Sequence, residues 1–207
     1  MSDAGPDDVL VVLAGGRSRR FGADKALAAF DPDRSGAEPL ALRALRRLAP
    51  VAPRRLLVRG APLPGLPPDV LRFADPSPGA GPLPALAAAF AAVPARRWFV
   101  APCDLPWLAP AIYARLADAL RRADAAAART PEGLEPLVSA WTPAAAGRLA
   151  PWLDAEPGLA VHAALERLGA AEVGFDDALP FRNVNTREEL ERVRRAGGPA
   201  PAAVSAP

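Results

Sequence analysis

The stretch VLVVLAGGRSRRFGADK, residues 9–25, decides the fold class. Its first part, Val9–Ala14, is a short apolar run with β-branched residues, which predicts a strand buried on both faces of a parallel sheet. The run passes directly into Gly15–Lys25, a loop that combines glycines with cationic side chains. In open α/β sheets, ligands bind beyond the carboxyl ends of the strands. The stretch therefore predicts an α/β protein with a ligand site after its first strand.

Short apolar segments alternate with helical patterns along the rest of the chain. Further strands are expected near residues 55–58, 70–73, 98–101, 125–129, 137–141 and 171–175. Helices are expected from residue 39, over about 83–92, from 110, over 144–153 and 159–168, and after Thr186. This alternation predicts a three-layer α/β/α architecture with a mostly parallel, twisted, Rossmann-like sheet. We expect a single domain over residues 1–196 and a disordered Gly/Pro/Ala tail over 197–207.

Composition excludes several classes of protein. The 207 residues include one cysteine, which rules out a disulfide framework or a cysteine zinc cluster within the chain. The strongly apolar run Val9–Ala14 is far shorter than the roughly 20 residues of a membrane span. The residues before it are acidic, unlike a signal peptide. We expect a soluble cytoplasmic protein that binds no membrane. The net charge is +2 and the arginine pairs are dispersed, so nucleic-acid binding is not expected either.

Two residue types are rare enough to draw attention. Of the 25 basic residues only Lys25 is a lysine, and the only asparagines are Asn183 and Asn185. A compact ammonium fits close to phosphate in a way that a guanidinium does not. These three residues become functional candidates because they also fall inside motifs.

The loop after the first strand lacks both common phosphate-binding patterns. It contains neither G-x-G-x-x-G nor Gly-Lys-[Ser/Thr]. It does offer successive backbone N–H groups at Gly15 and Gly16 and cationic side chains at Arg20 and Lys25, which together suit an anion such as phosphate. Two carboxylates, Asp75 and Asp104, follow the third and fourth expected strands. Since parallel strands end at one edge of a sheet, we expect these groups to converge there.

These residues carry a resemblance to a known family. The segment Leu13–Lys25, LAGGRSRRFGADK, resembles the signature of the nucleotidyltransferases related to the molybdenum cofactor guanylyltransferase MobA, with Phe21 in place of the usual Met. Later segments resemble further motifs of that family in the same order: Asp75 with Gly81-Pro82-Leu83, Pro102–Pro106, Glu135-Pro136-Leu137, and Phe181–Thr186. The resemblance covers about residues 9–195.

The resemblance implies a nucleotide-diphospho-sugar-transferase-like fold and a reaction. GTP and the molybdopterin cofactor would give the guanine dinucleotide cofactor and pyrophosphate, with Mg²⁺ as cofactor. Lys25 would hold the phosphates and stabilise charge in the transition state, Arg20 would assist on the leaving group, and Asp104 would bind Mg²⁺. The product would pass to a protein partner, a cofactor-inserting chaperone or a molybdoenzyme.

The resemblance also assigns residues to the two substrates. The residues implied to bind the nucleotide are Leu13, Ala14, Gly15, Gly16, Lys25, Arg59, Asp75 and Asp104. On the acceptor side are Asn183 and Asn185, together with Glu135, which either contacts the acceptor or only begins a strand. Two positions depart from the family pattern: Arg59 stands where Asn is common, and residues 158–162 lack a basic residue.

Other interpretations remain open from the sequence alone. A related transferase could use CTP with molybdopterin, or another phosphorylated acceptor such as 2-phospholactate or a sugar phosphate. A nucleotide-binding adaptor without turnover is a third class. We interpret Cys103 as a small buried side chain, His162 as a helix-face residue, and Trp107 as a core residue near the Asp104 loop.

Overall fold

A computed structural model describes residues 7–15, 21, 24–30 and 38–196. The strands are β1 Val9–Leu13, β2 Arg54–Val58, β3 Val70–Phe73, β4 Trp98–Pro102, β5 Ala125–Thr130, β6 Gly133–Trp141 and β7 Ala171–Gly174. The α-helices are α1 Leu40–Arg47, α2 Pro82–Ala92, α3 Pro110–Ala119, α4 Pro143–Gly147, α5 Leu149–Ala155, α6 Val161–Arg167 and α7 Arg187–Ala196. Three-residue 3₁₀ helices occupy Lys25–Leu27, here called the Lys25 helix, Ala49–Val51 and Leu179–Phe181. The expected tail, 197–207, lies outside the described residues.

The seven strands form one sheet in the order β3-β2-β1-β4-β6-β5-β7. β1 lies inside the sheet and pairs in parallel with both β2 and β4, so that Leu13 is opposite Val58 and Pro102. Only β6 runs against its neighbours, β4 and β5. The prediction of a mostly parallel sheet is confirmed. The shared register brings the carboxyl ends of β1, β2 and β4 to one edge.

Helices cover both faces of the sheet, which confirms the three-layer prediction. Leu10 and Val12 point to one face and pack in a core with α1 and α3. Val9 and Val11 point to the other face and pack with α2, α4, α5 and α6. Alternate residues of a strand point to opposite faces, so a central strand covered on both sides must be apolar throughout. None of the helices in the described ranges has both the length and the apolar surface that a membrane span requires.

Two element boundaries differ from the sequence prediction. The helix expected over 144–153 is two helices, α4 and α5, separated at Arg148. Pro151 has no N–H to donate to the carbonyl of Gly147, and its ring would clash with that carbonyl in a continuous helix.

Strand β6 begins at Gly133 rather than near 137, because it pairs with β5 through a tight connection and a register shift between Ala127 and Ala128. That bulge accommodates Pro136, which cannot donate a ladder hydrogen bond.

A buried carboxylate joins the starts of β1 and β4. Asp8 is 7% exposed and accepts two hydrogen bonds each from Arg96 and Arg97, at 2.6–3.1 Å. Burial alone would raise the pKa of Asp8, but the hydrogen bonds from Arg97 and Arg96 outweigh it and lower the pKa. A carboxyl whose pKa is lower in the folded than in the unfolded chain stabilises the fold only where it is ionised.

The Asp8→Asn variant should therefore show a pH-dependent loss of stability. At pH 7 we expect its midpoint of thermal unfolding to fall by about 2–6 °C, because the amide accepts fewer and weaker hydrogen bonds. The difference from the wild type should narrow as the pH falls below 3.8, the ordinary value for this carboxyl. Asp118→Asn, at an exposed position of α3, is the control. A difference that stays constant with pH would contradict the assignment.

Candidate active site

A cavity of about 660 Å³ opens at the sheet edge where β1, β2 and β4 end. Its wall combines strand ends with the loops that follow them, the start of α2, and the first half of β6. The lining residues are Leu13, Gly15, Lys25, Val58, Asp75, Gly79, Gly81, Pro82, Ala85, Pro102, Cys103, Asp104, Leu105, Glu135, Pro136, Leu137 and Asn183. The convergence expected from the strand ends is therefore seen in the structure.

An ion pair forms the polar centre of this cavity. The Lys25 ammonium donates to Asp104 Oδ2 at 2.5 Å and to Asn185 Oδ1 at 3.0 Å. The side chains of Lys25 and Asp104 are only 16% and 19% exposed. Charges are less screened in such a half-buried place than on an open surface. The Lys25 ammonium and the Asp104 carboxylate thus lie side by side in the cavity, which suits a ligand that carries an anion together with a bound cation.

A small apolar cluster holds the three segments that supply these groups. It contains Phe21, Phe30, Leu40, Trp107, Val184 and Leu190, and it is separate from the two cores of the sheet. Trp107 comes from the loop after Asp104, and its ring meets Phe30 edge to face, with centroids 4.9 Å apart. The Val184 N–H donates to the carbonyl of Asp104 at 3.0 Å. Packing and backbone bonding together fix the distance between Lys25, Asp104 and the asparagine segment.

The asparagine segment is anchored by the start of α7. The Glu189 N–H donates to Thr186 Oγ1 at 3.1 Å, while Glu189 Oε2 accepts from the N–H groups of Asn185 and Thr186. This reciprocal pattern is a capping box, and it confirms the expected cap at Thr186. Asn183 lines the cavity and Asn185 contacts Lys25. Both asparagines therefore lie at the site, although they do so in different ways.

Two further carboxyls lie in the cavity wall. Asp75 follows β3, and its Oδ1 accepts from the Ser77 N–H at 2.9 Å, which fixes the turn. Glu135 lies in β6, so it is both a strand residue and a cavity residue. Burial raises the pKa of Glu135, and the nearby charges of Glu132 and Asp104 raise it further. The Glu135 side of the cavity therefore favours positive charge.

Arg59 does not lie where the sequence placed it. It was expected to contact the nucleotide, but its side chain is 3% exposed and does not line the cavity. Its guanidinium instead donates to the carbonyls of Ala14 and Ala61 and to the carboxylate of Asp24. These acceptors together satisfy the planar, five-donor guanidinium of the arginine. The Asp24 contact was not foreseen, and its only sequence signal was a carboxylate directly before Lys25.

The other residues predicted at the site are Leu13, Ala14, Gly15, Gly16 and Arg20. Leu13 and Gly15 line the cavity. Ala14 is 4% exposed, and its backbone bonds to Val58 and Arg59 rather than pointing into the cavity. Gly16 and Arg20 lie outside the described residues.

Comparison with known proteins identifies the family. Residues 10–172 match the family described as the MobA-like NTP transferase domain. The chain belongs to this family. A Synechococcus elongatus protein named probable molybdenum cofactor guanylyltransferase is 39% identical over an alignment of 153 positions that covers 70% of this chain and 76% of that protein. A Burkholderia orbicola protein named molybdenum cofactor guanylyltransferase is 35% identical over an alignment of 210 positions that covers 93% of this chain and 98% of that protein.

Solved structures show how the MobA-like fold extends to other transferases. Molybdopterin-guanine dinucleotide biosynthesis protein A from Archaeoglobus fulgidus has a TM-score of 0.72 at 22% identity and covers 91% of this chain and 97% of its own. The 2-C-methyl-D-erythritol 4-phosphate cytidylyltransferase from Thermus thermophilus has a TM-score of 0.68 at 16% identity, covering 91% and 98%. At these identities the likeness shows the fold alone.

One thiol lies in the cavity of this MobA-like chain. Cys103 is next to Asp104 but is 6% exposed, and burial raises the pKa of its thiol to about 12. It is therefore a neutral thiol near pH 7, and a thiol is a poor nucleophile. His162 is exposed on α6 and lines a second cavity of about 550 Å³ with Glu166 and Glu172. Neither residue takes a place in the chemistry proposed below.

Cys103→Ala should retain nucleotide transfer within about threefold of the wild type, because it removes a packing group and no reacting group. In the native wild type the thiol should react with an aromatic disulfide reagent at pH 8 at least about tenfold more slowly than in the denatured chain. The rates of thiol labelling and of pyrophosphate release check both statements. A hundredfold loss of transfer in a folded variant would contradict the passive role.

Proposed function

We propose that this chain is a molybdenum cofactor guanylyltransferase, which transfers GMP from GTP to the molybdopterin cofactor and releases pyrophosphate. The single observation that carries the proposal is the meeting of Lys25, Asp104 and Asn185 in one cavity, although they lie 79 and 160 positions apart. Each comes from a segment that resembles a motif of the family. Relatives that carry this name match 93–94% of the chain at 34–35% identity.

The proposed reaction requires positive charge more than covalent help. An oxygen of the molybdopterin phosphate would attack the α-phosphorus of GTP, forming a new P–O bond as the bond to the bridging α–β oxygen breaks. Negative charge then accumulates on the phosphoryl oxygens and on the departing pyrophosphate. Preorganised donors stabilise such charge most effectively in a site sheltered from water. The Lys25 ammonium is the donor held in the cavity for this purpose, and Arg20 keeps its expected role on the leaving group.

Two backbone features would add to this stabilisation. Gly15 brings main chain without a side chain to the cavity wall. Gly81, with φ of +96°, precedes α2, whose first residue, Pro82, also lines the cavity. The amino end of a helix carries partial positive charge, so α2 favours an anion at this wall. We place the triphosphate between Gly15, Gly81 and Lys25.

Magnesium is part of the same proposal. Within the described ranges no three His, Cys, Asp or Glu side chains gather to hold a metal, so those residues form no complete protein cage. Mg²⁺ in nucleotide enzymes is usually held by one or two carboxylates together with substrate phosphates. Asp104 offers carboxylate oxygens at the cavity, and Glu135 lies near enough for its pKa to respond to Asp104. These residues fit such a shared ion, with Asp104 as its ligand. When bound, it would neutralise charge on the triphosphate.

The two substrates would occupy opposite parts of the cavity. Leu13, Asp75 and the start of α2 form one part, which we assign to the nucleotide. Glu135 and Asn183 form the other, which we assign to the acceptor. Asn185 accepts a hydrogen bond from Lys25. A cytoplasmic location, and delivery of the product to a chaperone or a molybdoenzyme, belong to this proposal through the family resemblance.

A cytidylyltransferase is the second candidate, because the same fold occurs in the Thermus thermophilus cytidylyltransferase. The buried position of Arg59 also removes the one cationic side chain that we had expected near the base. Thermal unfolding with GTP, CTP, ATP and UTP in the presence of Mg²⁺ distinguishes the candidates. The nucleotide that binds most tightly raises the unfolding midpoint most at equal concentration. We expect GTP to do so, and a larger shift with CTP would favour the alternative.

The proposal predicts pyrophosphate release from Mg-GTP only when molybdopterin is present. Lys25→Ala and Asp104→Ala should each lower the rate about 100-fold or more, by analogy with the loss of one preorganised electrostatic partner. Coupled detection of pyrophosphate measures the rate.

The ion pair between Arg55 and Asp69 provides the matched control. It joins the same charge types near the start of β2 and β3, away from the cavity, so Arg55→Ala and Asp69→Ala should keep the rate within about threefold. If the wild type releases no pyrophosphate while an established guanylyltransferase does so in parallel, the proposed function is wrong.

A further inference from the structure

The nearly complete burial of Arg59 poses a question that the proposed reaction does not answer. An arginine side chain is rarely so buried unless its guanidinium is paired with hydrogen-bond acceptors. Arg59 directly follows β2, and its Nε donates to the carbonyl of Ala61 at 2.9 Å. Its Nη1 donates to the carbonyl of Ala14 at 3.2 Å, at the end of β1. The guanidinium thus joins the ends of two central strands.

The Arg59 guanidinium also donates hydrogen bonds to the carboxylate of Asp24. Nη1 donates to Asp24 Oδ1 at 3.2 Å and Nη2 donates to Oδ2 at 2.5 Å, so the carboxylate is gripped at both oxygens. The same Oδ1 accepts from the Ala26 N–H at 3.1 Å and so caps the Lys25 helix. The hydrogen bond from Arg59 lowers the pKa of Asp24 despite partial burial. Asp24 therefore stays an anion and keeps both contacts near neutral pH.

The Lys25 helix needs such an external anchor. Three residues in a 3₁₀ turn have little stability of their own, because nucleating a turn costs more than its one or two hydrogen bonds return. Ala26, 3% exposed, packs into the core on one side of the turn. Asp24 fixes the other side. Lys25, between them, reaches both Asp104 and Asn185.

We infer that Arg59 is a positioning residue, which acts through Asp24 to set where the Lys25 helix begins and so where the Lys25 ammonium lies. Arg59 touches no cavity surface, so it has no direct contact to offer a nucleotide that binds there. An effect on the cavity would therefore pass through the residues that Arg59 holds, and of these Asp24 leads directly to Lys25. This inference rests on the proposed function for its activity readout only.

A double-mutant cycle tests whether Arg59 acts through Lys25. Arg59→Met keeps much of the side-chain volume but removes the guanidinium. We expect it to lower kcat/KM for guanylyl transfer about 10–100-fold, as does the loss of a residue that orients a site residue, or a small displacement of a reacting group. In the Lys25→Ala background the same change should cost less than about twofold, since there is no ammonium left to position. Arg59→Lys, which can grip only one oxygen, should fall between wild type and Arg59→Met.

The matched control is Arg55→Met. Arg55 lies in β2, the strand that directly precedes Arg59. Arg55 pairs with Asp69 outside the cavity, so its loss should leave kcat/KM within about threefold. A general weakening of β2 would lower activity in both variants. An effect in Arg59→Met alone therefore separates positioning from stability.

Amide hydrogen exchange gives a readout that does not depend on activity. Deuterium uptake over residues 24–28 should rise in Arg59→Met and stay unchanged in Arg55→Met, because the Ala26 N–H loses its capping carboxylate when Asp24 is released. If the wild type releases no pyrophosphate, the proposed function fails, and this comparison still decides the positioning role.

Three results would overturn the inference. Equal fold-losses from Arg59→Met in the wild-type and Lys25→Ala backgrounds would show that Arg59 acts independently of Lys25. Unchanged kcat/KM in Arg59→Met would show that it positions nothing needed for transfer. Unchanged uptake over residues 24–28 would show that Asp24 is held by other contacts. If Arg59→Met does not fold, the same cycle with Arg59→Lys carries the comparison.

Discussion

The ion pair between Lys25 and Asp104 is the interaction on which the rest of the site depends. An ammonium and a carboxylate placed 2.5 Å apart neutralise each other, which allows both to remain in a half-buried cavity. Together they offer opposite charges to one ligand. A nucleotide triphosphate with its bound cation needs that combination, and a site with only one sign of charge would serve one component and repel the other.

The fold holds this pair by fixing the segments on which it is built. The parallel register of β1 with β4 ends both strands at one level, with Leu13 opposite Pro102. The apolar cluster around Trp107 then joins the loops that follow them, and the Val184 N–H ties the asparagine segment to the Asp104 carbonyl. Arg59, which does not line the cavity, donates hydrogen bonds to both carboxylate oxygens of Asp24. The strands fix the position of the sheet edge, and the local contacts fix the positions of the site's side chains at that edge.

Much of this arrangement could be predicted from the sequence, and its failures have physical causes. The apolar run of β1 and the acidic residues after β3 and β4 suffice to predict the edge at which the groups meet, because parallel strands end together. The prediction put Arg59 at the cavity, but the side chain that follows a strand can turn toward the cavity or away from it. Its direction depends on hydrogen-bond acceptors from other segments of the fold. The break between α4 and α5 was missed although Pro151 signals it. The start of β6 was placed too late because residues 136–138 of β6 bulge out of the ladder with β5, and pairing resumes at Glu135. The apolar pattern of β6 does not show that the strand continues beyond the bulge.

A crystal structure with Mg²⁺ and a GTP analogue would show directly whether Lys25 and Asp104 act on one triphosphate. The analogue should have a methylene group as its α–β bridge, so that transfer cannot occur. We expect the triphosphate at Gly15 and Gly81, the Lys25 ammonium within hydrogen-bond distance of a phosphate oxygen, and the metal on a carboxylate oxygen of Asp104. A nucleotide bound outside this cavity, or a metal held without Asp104, would contradict this expectation.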